Sequence, residues 1–328
     1  MRAHLPNTSP RGVVARAASA RGRGAAAATL AAALLAWGLG ACGGGRHAAG
    51  RKAAVDRALT PTTPLGSGRL DALLTLKIGR LQGSHARREA FQLHLRGPFE
   101  SLGASRLPRF ALAVQQRSGP PHAQTLRATA TSTGTQLFIG FRGQQFLAPA
   151  STVRALRQGF AEAAGQASPQ GSSTALGLDP GRWLSHPTVS GSWRIGGVET
   201  VHVVSGLDVP RFLADARALS AATAPVGIGT RAGGAEALSA ALAGGGAGAV
   251  RVARVDLFTG EQDHLLRRLS LRLVLSPAPQ TPASRANARR VTITLVLGVS
   301  ALNKPQSIAT PRNPRPLSEL FPLLAAHP

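Results

Sequence analysis

Val291-Thr292-Ile293-Thr294-Leu295-Val296-Leu297-Gly298-Val299-Ser300-Ala301 is the cleanest alternation in the chain, with Val291, Ile293, Leu295, Leu297, Val299 and Ala301 on one phase. Successive side chains of an extended strand point to opposite faces, so this stretch reads as a strand with one apolar face. The same period of two recurs at Leu70, Ala72, Leu74, Leu76 and Ile78, and then at Phe91, Leu93 and Leu95. It continues at Phe110, Leu112 and Val114, at Leu126, Ala128 and Ala130, and at Leu137, Ile139 and Phe141. Gly97-Pro98, Gly119-Pro120-Pro121 and Thr133-Gly134 punctuate these runs. Short alternating runs parted by turn residues make an antiparallel meander.

Two more strands are expected around 188–195 and 198–205, joined by Gly196-Gly197, and others from Val250 onward and over Leu269, Leu271, Leu273 and Leu275. Val250 and Val252 lie on one phase and Val255 and Leu257 on the other, which predicts a bulge near Ala253 and Arg254. Between Ala150 and Gln166 the period changes, with Val153, Leu156, Phe160 and Ala163 at helical spacing. Asp179-Pro180 opens a short helix, and Asp208 caps another in which Phe212, Leu213, Ala216 and Leu219 share a face. An alanine-rich helix is expected at about 235–243, before Gly244-Gly245-Gly246. The proline-rich tail from Asn303 should run extended along a sheet edge, ahead of a short segment over 317–324. Roughly ten strands about 4.8 Å apart make a sheet near 50 Å wide, which must curl and be covered on its apolar side. The fold class is therefore α+β.

Leu39-Gly40-Ala41-Cys42 has the form of a lipobox. Ahead of it lie Arg2, Arg11, Arg16, Arg21 and Arg23 with no acid, then an apolar run from Ala25 to Ala41. That is the layout of an exported signal segment, cleaved between Ala41 and Cys42. The run falls short of the roughly 20 apolar residues that a membrane span needs. Cys42 is the chain's single cysteine, so its acylation would anchor the protein to the outer face of the cell membrane and leave no disulfide to hold the fold. The expected organisation is a signal peptide over 1–41, a disordered tether over 42–68 and one folded domain over 69–325.

With 38 basic residues against 14 acidic ones the chain carries +24, and the leader removes five arginines and no acid, leaving +19. Such charge suggests nucleic acid at first. Aromatics make up only 4% of residues, tyrosine is absent, and the arginines are not interleaved with rings as a single-strand groove would require. Nucleic acid is therefore not an expected partner, whereas anionic headgroups or an anionic envelope polymer are. The histidines show no HxxxH or HxH spacing, and the glycines near 227–233 follow no strand. Neither a metal site nor a phosphate loop is expected, nor any other cofactor. Ser172 and Ser173 lie on no strand-to-helix elbow, and Glu199, Asp256 and Asp263 read as turns and surface charge. The chain reads as no enzyme.

What remains is the apolar face. Its covering helices are rich in alanine, and the residues alone allow either close packing or a gap lined by Leu, Val and Phe. The candidate lining residues are Val153, Leu156, Phe160, Phe212, Leu213, Leu219, Leu295 and Leu297.

Several motifs resemble one family in order. They are Gly97-Pro98-Phe99-Glu100, Leu107-Pro108-Arg109-Phe110, Gly197-Val198-Glu199-Thr200-Val201-His202 leading to Gly206-Leu207-Asp208-Val209, and Asp256 followed by Leu265-Leu266-Arg267-Arg268-Leu269. The ending Asn303-Lys304-Pro305-Gln306-Ser307-Ile308-Ala309-Thr310-Pro311 completes the set. Together with the lipobox these are similar to the LppX/LprG-type envelope lipoproteins. The resemblance implies a LolA-like half-barrel, a strongly curved antiparallel sheet of about ten or eleven strands with short helices across its concave side. It further implies a cavity that takes an acylated lipid or glycolipid. The loop over 223–234 and the stretch over 164–177 are longer than such a fold needs, and no tyrosine offers a hydroxyl to a headgroup.

Overall fold

Leu295, at the centre of the opening stretch, stands opposite Leu74 on one side and Leu271 on the other, with all three side chains on the apolar face. The computed structural model describes residues 44–80, 89–103, 106–119, 125–166, 180–212, 214–215, 250–276 and 289–325. Its strands are β1 Ser67–Arg80, β2 Glu89–Glu100, β3 Arg109–Ser118, β4 Thr125–Thr133, β5 Leu137–Phe141 and β6 Gln144–Leu147. They continue as β7 Leu184–Ile195, β8 Val198–Leu207, β9 Val250–Gly260, β10 Leu266–Leu275, β11 Arg289–Ser300 and β12 Arg315–Pro316. All belong to one open, curved sheet in the order β12-β6-β5-β4-β3-β2-β1-β11-β10-β9-β8-β7. Two antiparallel meanders, β1 to β6 and β7 to β11, are thus joined along β1 and β11 over twelve residue pairs from Arg69 with Ser300 to Arg80 with Arg289.

The curved antiparallel fold class is as expected, with one strand more than the upper expectation. One strand without a sequence signal is β6, whose four residues Gln144 to Leu147 are too few to show a period. Its turn is made by Arg142 and Gly143, with φ of 50° and 77°, the doubly left-handed pair that a two-residue hairpin requires. Gly196 and Gly197, at 57° and 82°, turn β7 into β8 in the same way. The bulge in β9 falls at Arg251, between the pairs Val274 with Val252 and Leu275 with Val250, and not at Ala253 and Arg254. Placed there, it lets Val250 and Ala253 both join the core. The tail reaches the sheet edge as expected, where β12 pairs in parallel with β6. The segment after it splits into a 3-10 turn, Leu317–Glu319, and a short helix.

The helices are α1 Gly44–Leu59, α2 Ala150–Gln166 and α3 Leu320–Ala325, with a 3-10 turn at Pro180–Trp183 and a helical turn at 209–212. Helix α2 has the expected bounds. Asp208 caps the turn as expected, its carboxylate accepting the Arg211 N–H at 3.2 Å.

Helix α1 corrects the expectation of a tether over 42–68. Alanine, arginine and lysine favour helix, and Val55, Ala58 and Leu59 recur at helical spacing. Val55 and Ala58 are buried at 4% and 2% exposure, and α1 lies against β7, β8 and β9. The Thr60 hydroxyl donates to the Asp56 carbonyl at 2.7 Å and closes the last turn. Gly44–Pro328 is accordingly one compact unit. Cys42 and the leader, and the alanine-rich helix near 235–243, lie outside the described residues.

Candidate functional site

The apolar face carries two packed clusters. One centres on β8, β9 and β10, where Val203, Val255, Leu257, Leu269, Leu271 and Leu273 are at most 2% exposed. Ala58 of α1 seals it, as do Trp183 and Phe212, whose rings meet edge to face at 5.3 Å. The Trp183 indole donates to Asp215 at 2.8 Å, which satisfies its N–H inside the cover. The other cluster sits at the opposite end of the sheet, where Leu137, Ile139, Phe141 and Phe146 of β5 and β6 pack under Val153, Leu317 and Leu320.

Between the two ends the face is less well covered. A single row crosses the sheet through Val255, Leu271, Leu295, Leu74, Leu93, Gln116 and Leu126, each directly opposite the next. Val255 and Leu271 at its start are fully buried, whereas Leu295, Leu74, Leu93 and Leu126 are only partly so. On the flanking rows Leu95 and Phe91 of β2 are likewise partly buried, whereas Ala72 and Leu76 of β1 and Val114 of β3 are buried. Gln116, 8% exposed, is the polar side chain within this row. Leu295, Leu74, Leu93 and Leu126 thus form a narrow strip of half-covered apolar side chains, a shallow trough across β11, β1, β2 and β4, with the amide of Gln116 on β3 within it.

The candidate lining residues are distributed unevenly. Val153, fully buried, and Leu156, partly buried, belong to the cluster at the β5 and β6 end. Phe212, 7% exposed, belongs to the opposite cluster under Trp183, and Leu297, 8% exposed, is core there as well. Leu295 alone of these stands in the trough row. The side chain of Phe160, and the residues Leu213, Leu219, Ala41 and Cys42, lie outside what is described. The trough residues Leu74, Leu93 and Leu126 carry a strand signal in the sequence, but nothing local distinguishes a half-covered strand from a sealed one.

The other face of the sheet is polar, and on it two aspartates each meet an arginine and a histidine: Asp71 of β1 meets Arg96 at 3.1 Å and His94 at 2.7 Å, and Asp256 of β9 meets Arg254 and His202. Arg254 donates to Asp256 through Nε at 2.9 Å and through a terminal nitrogen at 2.8 Å. His202 Nε2 contacts the same carboxylate at 3.0 Å. Burial pushes the Asp256 carboxyl up, but the hydrogen bonds from Arg254 and His202 outweigh it and hold the group below its ordinary value. The same contact holds the Arg254 guanidinium above its own. His202 is 8% exposed, stacked on Phe258 at 4.4 Å and met edge-on by Trp193 at 6.1 Å. Among the described residues no group of three or more His, Cys, Asp and Glu stands close enough to hold a metal ion. No helix among them is long and apolar enough to cross a membrane.

No protein-family model matches the chain, and no curated protein matches it. Among solved structures it is similar to LprF from Mycobacterium bovis, at 12% identity and a TM-score of 0.38, over 80% of this chain and 98% of that one. It is similar to the lipoprotein LppX from Mycobacterium tuberculosis at 10% identity and a TM-score of 0.35, over 75% and 90% of the two chains. For a LolA superfamily protein from Nitrosomonas europaea the values are 8%, 0.20, 79% and 98%. These are the kinds of protein that the sequence motifs resemble.

Proposed function

We propose that the protein is a non-catalytic lipid-binding lipoprotein of the cell envelope, tethered through acylated Cys42, which receives the chains of an acylated lipid or glycolipid along the apolar trough. The observation that carries this reading is the row from Leu295 through Leu74 and Leu93 to Leu126, which stays partly uncovered at the middle of the sheet while both ends are sealed. Leaving leucines exposed costs about 25 cal/mol for each Å² of apolar surface, and a hydrocarbon chain laid along the row would recover that free energy. Gln116, between Leu93 and Leu126 in the row, would donate from its amide to an ester carbonyl or sugar hydroxyl, setting which way round the ligand lies. The lipobox supports the tether, since Cys42 follows two small residues and an apolar leader.

The test is native mass spectrometry of the Gly44–Pro328 unit after incubation with a diacyl phospholipid and with a diacyl glycolipid. The expected result is a stoichiometric adduct with at least one of them. Recovery of the bare mass with both would refute the reading. The tether is checked separately by intact-mass analysis of the membrane-extracted protein, where an unmodified Cys42 would refute acylation.

A further inference from the structure

The polar face near the β7 edge combines unpaired cations with an exposed ring. Arg268 and Arg272 point outward from β10, both exposed, and neither has a carboxylate partner among the described residues. Arg272 stands directly opposite Arg254, and like charges in such a pair repel. Asp256 neutralises Arg254, while no carboxylate among the described residues pairs with Arg272. Arg268 stands in the same row as Phe258 and His202, and these two rings meet Trp193 on β7, which is 59% exposed, with the Phe258 centroid 6.4 Å away; Arg272 lies four residues further along β10. Val252, 39% exposed, lies on the same face. An indole held rigid but left outside a core loses free energy in water unless something amphipathic meets it.

We infer that this face of β8, β9 and β10 docks on an anionic phospholipid surface, with Trp193 entering the headgroup layer and Arg268 and Arg272 facing lipid phosphates. A soluble polyanion would satisfy the arginines but would leave Trp193 and Val252 in water. A lipid interface satisfies both, because aromatic rings settle at headgroup depth while cations near the surface gain from its negative potential. Helix α1 lies on the opposite, apolar face of the same strands, so docking would leave the core cover undisturbed. The inference goes beyond lipid carriage and does not depend on it: it concerns the other face of the sheet and requires neither a bound lipid nor an acylated Cys42.

The experiment is co-sedimentation of the unacylated Gly44–Pro328 unit with vesicles of phosphatidylglycerol and phosphatidylcholine mixed equally, and with phosphatidylcholine alone. It is read together with tryptophan emission. Expected results are binding to the anionic vesicles only, a blue shift of emission on binding, and weakening as salt rises. Arg268→Gln with Arg272→Gln should lower affinity about 25-fold, at about fivefold for each cation removed from the surface. Trp193→Ser should abolish the emission shift, since Trp183 is already buried. Arg117→Gln with Arg127→Gln, on the same face but on the distant strands β3 and β4, should change affinity less than threefold, which separates local docking from general charge. Equal binding to neutral vesicles would overturn the inference. So would an unchanged affinity in the Arg268 and Arg272 variant, or binding to soluble polyphosphate with no binding to vesicles.

Discussion

Leu93 on β2 stands directly opposite Leu74 on β1, and both are only partly buried although they lie in the middle of a twelve-stranded sheet. Leu271 and Leu93, in the same row but three strands apart, should therefore answer truncation differently. Leu271→Ala removes a fully buried side chain and should cost about 2 to 5 kcal/mol, whereas Leu93→Ala should cost about 1 kcal/mol. Urea unfolding of the two variants checks this, and equal losses would mean that the centre is sealed like the end.

Helix α1 acts as a cover and not as a tether. Val55→Asp places an unpaired carboxylate where a 4% exposed valine stood, and should cost about 3 kcal/mol. Thermal unfolding is the measurement, and a midpoint unchanged from the parent would return this segment to the role of a loose linker.

Asp256 supplies a pH dependence whose sign is fixed by its partners. Its carboxyl is held below the ordinary value in the folded state, so the folded protein binds that proton less readily than the unfolded chain does. The stabilisation is complete above the unfolded carboxylate value of about 3.9 and is lost as pH falls through the folded one. Asp256→Asn should therefore lower stability by about 1 kcal/mol at pH 6, with the gap from the parent closing below about pH 3.9. Unfolding free energies at pH 6 and pH 3 check both parts, and a gap that widens in acid would contradict them.

Asn303 joins the two halves of the sheet where β11 ends and β1 begins. It adopts φ of 54°, its side-chain oxygen accepts from the Gly66 N–H at 2.7 Å, and its amide donates to the Pro64 carbonyl at 3.2 Å. Asn303→Ala loses both bonds and places a residue poorly suited to left-handed backbone there. A loss of about 2 kcal/mol is expected in equilibrium unfolding; less than about 0.5 kcal/mol would show that the junction holds without it.

Most strands were legible because they bury one face and period two survives in the sequence: Leu70 to Ile78 and Val291 to Val299 could be read residue by residue. Helix α1 was not, because the one short stripe of Val55, Ala58 and Leu59 is set in a run of alanines, glycines and arginines that reads as a linker. The lining was legible in kind but not in place. Val153 and Phe212 both read as inward apolar residues of covering helices, yet one packs on β5 and β6 and the other beside Trp183. Which end of a wide sheet a helix covers depends on sheet order, and that order is set by pairings such as β1 with β11, more than 200 residues apart. The bracing of Trp193 by Phe258 and His202 depends on the same long-range register.

Lipid uptake with the trough open and with the trough filled tests the central claim most directly. A labelled diacyl phospholipid is titrated into the Gly44–Pro328 unit and into its Leu93→Trp variant, with unfolding followed in parallel. The expected result is saturable uptake by the parent, and at least tenfold weaker uptake by a variant whose stability is within about 1 kcal/mol of it, because the larger ring occupies open space. No uptake by the parent, or a variant destabilised by about 3 kcal/mol through overpacking, would contradict it.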